Sequence, residues 1–208
     1  MVEDPKAAYP IGDLVNPISE AWLAVSRNAL GNVLATQKAV LTSAGLLADG
    51  HEEPVAGSVT YADSSWSVRR DLDDVDRISV GDSITFGKRI SQQEVDAFAR
   101  LSGDTNRLHL DPDFAADTRF GGPIVHGSLG AGLISAALAR FPGVVIYLSQ
   151  DLSFQKPVEI GDHLSAVCEI LEEVGEQTFR VSTKVLDQDE DVAISGEAMI
   201  LVDPLPDE

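Results

Sequence analysis

The chain has 208 residues, 44% of them hydrophobic, with 34 acidic side chains against 15 basic ones and a formal net charge of −19. That suffices for one core with an appendage, but no apolar run reaches the ~18–20 residues a membrane-spanning helix needs. The first residues lack the basic-then-apolar order of a signal peptide, so a cytoplasmic protein is expected.

So negative a surface repels nucleic-acid phosphates. Cys168 is the single cysteine, which rules out an intramolecular disulfide and a four-cysteine metal site. The acids are spread from Asp71, Asp73 and Asp74 through Glu94, Asp117, Glu172 and Asp189 to Glu208, and lysines are few. This dispersion points to a halophilic host rather than to an acidic tail.

Residues 1–18 hold Pro5, Pro10 and Pro17 and show no periodicity; they read as an arm. Ser19 is a candidate N-cap for an amphipathic helix over 19–47, with Trp22, Leu23, Leu30, Val33, Leu34, Val40, Leu41 and Leu47 recurring mostly at three- and four-residue steps. Its apolar stripe suits docking on the domain or a dimer mate, or else attachment to a hydrophobic body such as a polyester storage granule. Residues 48–76, with Gly50, Pro54, Gly57 and the cluster Asp71-Leu72-Asp73-Asp74, read as a linker. Residues 1–77 thus form an extension, 78–203 the domain and 204–208 a tail.

Residues 83–90 are a strand candidate. Ser91-Gln92-Gln93-Glu94 is a capping box opening a helix through Leu101, with Val95, Phe98 and Leu101 inward. Ser102-Gly103-Asp104 breaks it. Asp111-Pro112 opens a short helix that Gly121-Gly122-Pro123 ends. Residues 126–140 form an almost uncharged helix of small residues, predicted to be buried, and Phe141-Pro142-Gly143 stops it. Strands are predicted over 144–154, 163–172, 177–186 and 192–202. Short links between them require antiparallel pairing. The order implies an α+β fold: a curved antiparallel sheet around one long helix.

Asp104 and His109 lie five apart in a segment broken by Gly103 and closed by Pro112. A loop there can aim a carboxylate and an imidazole at one water, which is what general acid–base activation needs. On spacing alone, a turn aspartate and a satisfied core histidine fit better. Gly127 opens the buried helix, where backbone N–H groups can stabilise charge on a thioester oxygen; it also fits a residue that merely allows tight packing. His51, His126 and His163 show no zinc-site spacing, so no metal is expected. No Gly-x-Gly-x-x-Gly follows a strand, so no nucleotide redox cofactor is expected either.

The stretch Ser102-Gly103-Asp104-Thr105-Asn106-Arg107-Leu108-His109-Leu110-Asp111 resembles the hydratase motif of the MaoC-like (R)-specific enoyl-CoA hydratase family. Matches continue in register at Phe114-Ala115-Ala116, at Gly122-Pro123-Ile124-Val125-His126-Gly127 and over 152–162. The resemblance implies a hotdog fold, a homodimer or larger assembly, and hydration of a trans-2-enoyl-CoA to the (3R)-hydroxyacyl-CoA. CoA would enter as part of the substrate, not as a cofactor. It implies that Asp104 takes a proton from water, His109 holds that water, Gly127 faces the thioester oxygen and Ser135 lies near the pair. Arg107 stands where the motif has proline, either loosening the loop, meeting a CoA phosphate or lying solvated. Two rivals remain: a thioesterase, which would need a carboxylate that 126–140 lack, and a non-catalytic acyl-CoA- or granule-binding protein.

Overall fold

A computed structural model describes residues 58–74 and 77–206, all within the compact unit Glu52–Glu208. The arm, the helix over 19–47 with its suggested granule contact, and His51 lie outside the described residues.

Six strands form one antiparallel sheet in the order β1-β2-β4-β5-β6-β3. They are β1 (Ser67–Asp71), β2 (Ser83–Arg89), β3 (Val144–Phe154), β4 (His163–Gly175), β5 (Thr178–Leu186) and β6 (Val192–Asp203). Alternation decides which face is covered. On β4, Leu164, Ala166, Cys168 and Ile170 are buried, and on β5 Phe179, Val181, Thr183 and Val185.

The long helix, introduced as α4 (Gly127–Leu138), lies against this face. It buries Leu133, Ile134 and Leu138, each contributing about 1.5–3 kcal/mol by leaving water. Gly130 lets the helix approach: a Cβ there would stand 3.2 Å from Ile194 Cδ1. This is the expected α+β hotdog arrangement.

Among the described residues, three helices precede α4. In α1 (Gln92–Ser102) the predicted capping box is complete: Glu94 N–H donates to Ser91 Oγ at 3.3 Å, and Ser91 N–H donates to Glu94 Oε2 at 2.8 Å. Gly103 ends α1 with φ at 78°, the left-handed region open to glycine. There follow α2 (Arg107–Leu110) and α3 (Pro112–Ala116), with Asp111 capping the latter through Phe114 N–H at 3.0 Å.

The structure corrects three expectations. Leu101 is 78% exposed rather than inward, because the buried face of α1 runs through Val95 and Ala99, and Leu101, six residues past Val95, points away from it. The stretch read as linker contains β1, paired along β2 from Ser67↔Gly87 to Asp71↔Ser83. Its charged residues hid it, since an edge strand exposes both charge and backbone. Third, α4 is buried on one side only: Ser128, Gly132 and Ser135 remain exposed. No described helix is long and apolar enough to cross a membrane.

Candidate active site

The site is built where the loop after α1 meets the N-terminus of α4. Asn106 caps α2, its Oδ1 accepting from Leu108 N–H at 3.0 Å, and this turn places His109 inward at 8% exposure. His109 Nδ1 is 2.8 Å from the Ile124 carbonyl oxygen. A carbonyl only accepts, so Nδ1 carries a proton, and in the neutral ring Nε2 is the acceptor.

The His126 ring stacks on that of His109, centroids 3.8 Å apart. Its Nε2 donates to the backbone carbonyl of Asp104 at 3.0 Å, so the helix start and the catalytic loop are tied together. His126 Nδ1 is buried and unpartnered among the described residues. Asp104 itself is exposed, with Oδ1 near Asn106 N–H at 3.4 Å. One of its carboxylate oxygens and a nitrogen from each of the two imidazoles lie within 4.8 Å of one another. Three such donors could share a cation; equally, they can relay protons.

Beside the imidazoles lies a cleft of about 320 Å³ lined by His109, His126, Gly127, Phe154 and the cations Arg119 and Lys156, among others. A larger cleft of about 510 Å³, bordered by Arg77, Phe179 and Asp203, contains none of these groups. Gly127 is exposed at the first position of α4, where no side chain caps the helix. The first N–H groups of a helix find no acceptor within it, so this end is free to meet a developing negative charge. A Cβ at Gly127 would stand 2.7 Å from Phe154 Cε1, so glycine here also makes room for an aromatic wall.

The predicted residues are thus placed differently. His109 and Gly127 border one cleft, and the Asp104 carboxylate stands within 4.8 Å of a His109 ring nitrogen, exposed to solvent. Ser135 does not join them: it is exposed on α4, eight residues past Gly127 and about 12 Å along the axis. Arg107 is solvent-exposed, as the solvated reading expects, but it is also held. Its Nε and Nη2 donate to Asp111 Oδ2 at 2.9 and 2.7 Å, and its guanidinium lies 4.4 Å from the Phe114 ring. The Phe114 N–H and this arginine hold the Asp111 carboxyl below its usual range. The lost proline is replaced by a side-chain brace across α2 and α3.

Sequence reasoning missed three contributors: the Ile124 carbonyl, the Phe154 ring and the Lys156 ammonium. Phe154 and Lys156 stand in the stretch matching the motif at 152–162. Asp187 first, then Asp191, raise the Lys156 pKa, so it is a fixed cation at the cleft. Cys168 is core as expected, its thiol pushed up by burial.

Known proteins resemble this chain in sequence and fold. The family described as "MaoC like domain" matches residues 77–191. The (R)-specific enoyl-CoA hydratase of Aeromonas caviae is 43% identical over 126 residues, 59% of this chain and 94% of that protein. The 3-hydroxybutyryl-CoA dehydratase of Methylorubrum extorquens is 39% identical over 60% of this chain and 81% of its own. Among solved structures, the A. caviae (R)-hydratase involved in PHA biosynthesis superposes with a TM-score of 0.58 at 41% identity, covering 61% of this chain and 98% of that one. Protein af1124 of Archaeoglobus fulgidus superposes at 0.60 with 28% identity, covering 84% and 97%. The family match spans more than half of the chain, and this chain belongs to the MaoC-like family.

Proposed function

We propose that this protein is an (R)-specific enoyl-CoA hydratase, a hydro-lyase that reversibly converts trans-2-enoyl-CoA into (3R)-3-hydroxyacyl-CoA. The observation that carries the reading is the 2.8 Å contact of His109 Nδ1 with the Ile124 carbonyl, which leaves Nε2 as the ring's other nitrogen for acid–base work, in a ring grouped with the Asp104 carboxylate and bordering the cleft that Gly127 borders.

Asp104 and His109 hold one water. Its oxygen bonds to C3 of the enoyl group while its proton passes to this pair. The C2–C3 π electrons move toward the thioester oxygen, where the Gly127 N–H meets the charge. C2 then takes a proton from the same pair, and the sum is addition of one water. The reverse sequence dehydrates the product. Arg119 and Lys156 at the cleft suit the phosphates of CoA. The chemistry needs no cofactor or metal.

Strand β3 is a sheet edge eleven residues long with Tyr147 and Phe154 exposed. Such an edge calls for a partner, and a second copy supplies one in a homodimer. We place the enzyme in the cytoplasm of a halophile, feeding polyhydroxyalkanoate synthesis or fatty-acid turnover, with residues 19–47 as the candidate storage-granule contact. The thioesterase rival is disfavoured because α4 carries no carboxylate.

The test is loss of the conjugated thioester's ultraviolet absorbance when the protein, in high salt, meets trans-2-enoyl-CoA. We expect turnover that Asp104→Asn and His109→Ala abolish. Turnover untouched by both substitutions sinks the assignment.

A further inference from the structure

A third cleft, of about 380 Å³, runs along one side of α4, walled by it and by Phe86 and Lys88 of β2. It begins at Ser128 and Phe98, whose ring lies 5.1 Å from that of His126. It continues past Leu129 and Leu133 to Trp66, Phe86 and Arg140. Its near end therefore abuts the proposed reaction centre, and its walls are apolar, as an acyl chain requires.

The far end is not apolar. Arg140 is only 3% exposed, yet no carboxylate pairs with it among the described residues. Its Nη1 donates to the Ala136 carbonyl at 2.6 Å, which sets the guanidinium back along the helix. The Phe86 and Trp66 rings lie 4.2 and 5.3 Å from it. Such contacts offset part of the cost of burying a cation, but Nε stays buried without a partner. Burial pulls the group down to about 10, so it remains charged at neutral pH. Lys88, the other cation lining this cleft, is already paired with Glu94.

A buried charge without a counterion is costly, and an unmet buried donor adds to that cost. In arginine, Nε–H and one N–H of Nη2 point the same way and form the fork that takes both oxygens of a carboxylate. Here Nη1 is used, while Nε, one arm of that fork, has no partner among the described residues. From Ser128 to Ala136, level with the guanidinium, is eight residues, about 12 Å of helix.

We propose that Arg140 receives a carboxylate at the distal end of the acyl chain, so that the preferred substrates are CoA thioesters of medium-length unsaturated dicarboxylic acids. This rests on the hydratase reading. Trp66, which precedes β1 and so lies outside the family match, closes the cleft over the guanidinium.

The test compares purified wild type on two series of trans-2-enoyl-CoA of increasing length, one ending in methyl and one in carboxylate. We expect a preference of about tenfold or more in kcat/KM for the carboxylate series at medium length. Arg140→Met should remove that preference while leaving turnover of the methyl series. Equal turnover of both series by the wild type overturns the proposal while the hydratase reading stands, and this comparison needs no variant to fold. A preference that survives Arg140→Met also overturns it. If neither series is hydrated, the reading beneath it falls as well.

Discussion

The imidazole of His109 lies over that of His126 with centroids 3.8 Å apart and planes 29° from parallel. Through this stack, and through the His126 bond to the Asp104 carbonyl, the base and the carboxylate share one support. Replacing His126 by Phe keeps an aromatic surface under His109 but deletes that bond. A lost buried hydrogen bond of about 1–3 kcal/mol predicts a fall in kcat of about fivefold to a hundredfold. The pH–rate profile should change too, as a mere loss of stability would not require.

His109→Ala should lower kcat by about 10²–10⁴, the usual range for losing a positioned acid–base group. Circular dichroism should show the fold retained. A variant with wild-type kcat sinks the role assigned to Nε2.

Arg107→Ala removes the brace to Asp111 and Phe114. The pair is exposed, so melting should shift little, by the equivalent of about 0.2–1 kcal/mol, while kcat falls several-fold as the loop loosens. Arg107→Pro should restore activity: position 107 opens α2, where proline's fixed φ is already helical. Steady-state kinetics of the three proteins decides the matter.

Gly127→Ala keeps the backbone N–H but drives a methyl to 2.7 Å from the Phe154 ring. Activity should fall. Adding Phe154→Ala should recover part of it, because the ring and not the N–H is the obstacle. No recovery would falsify the steric account.

The Asp187 carboxyl is held below its usual range by Lys156, and further by the N–H groups of Asp191 and Asp189. A depressed carboxylate contributes stability above its unfolded pKa, about 3.9, and that stability is lost as the pH falls through the lower folded value. Wild-type Tm should therefore drop below about pH 4, and Asp187→Asn should flatten that drop while lowering Tm at neutral pH. The same variant should raise KM for CoA substrates, since it releases Lys156 from its place at the cleft. Chelators should leave turnover unchanged, although Asp104, His109 and His126 are spaced to share an ion.

Much of this was legible in the chain because the signals are local. The Ser91–Glu94 box, the Asp111-Pro112 start and the small-residue run of α4 each act within one or two turns. The strands alternate visibly wherever one face is covered. What was hidden depends on distant partners. Nothing near Trp66 or Ser67 announces pairing with β2. No local pattern tells that Ile124 accepts from His109, or that His126 reaches back to Asp104. The exposed side of α4 misled for the same reason, since its small apolar residues look the same under a sheet and beside an open cleft.

The two margins of the sheet are unlike. Outer strand β1 is five residues long and carries Arg69, Arg70 and Asp71, which discourage further addition. Outer strand β3 is more than twice that length and ends in Phe154. Joining two long margins about a two-fold axis leaves only short, charged ones outside. Assembly of the proposed homodimer through this sheet would thus be self-limiting: it would close after two copies and offer no template for a fibre.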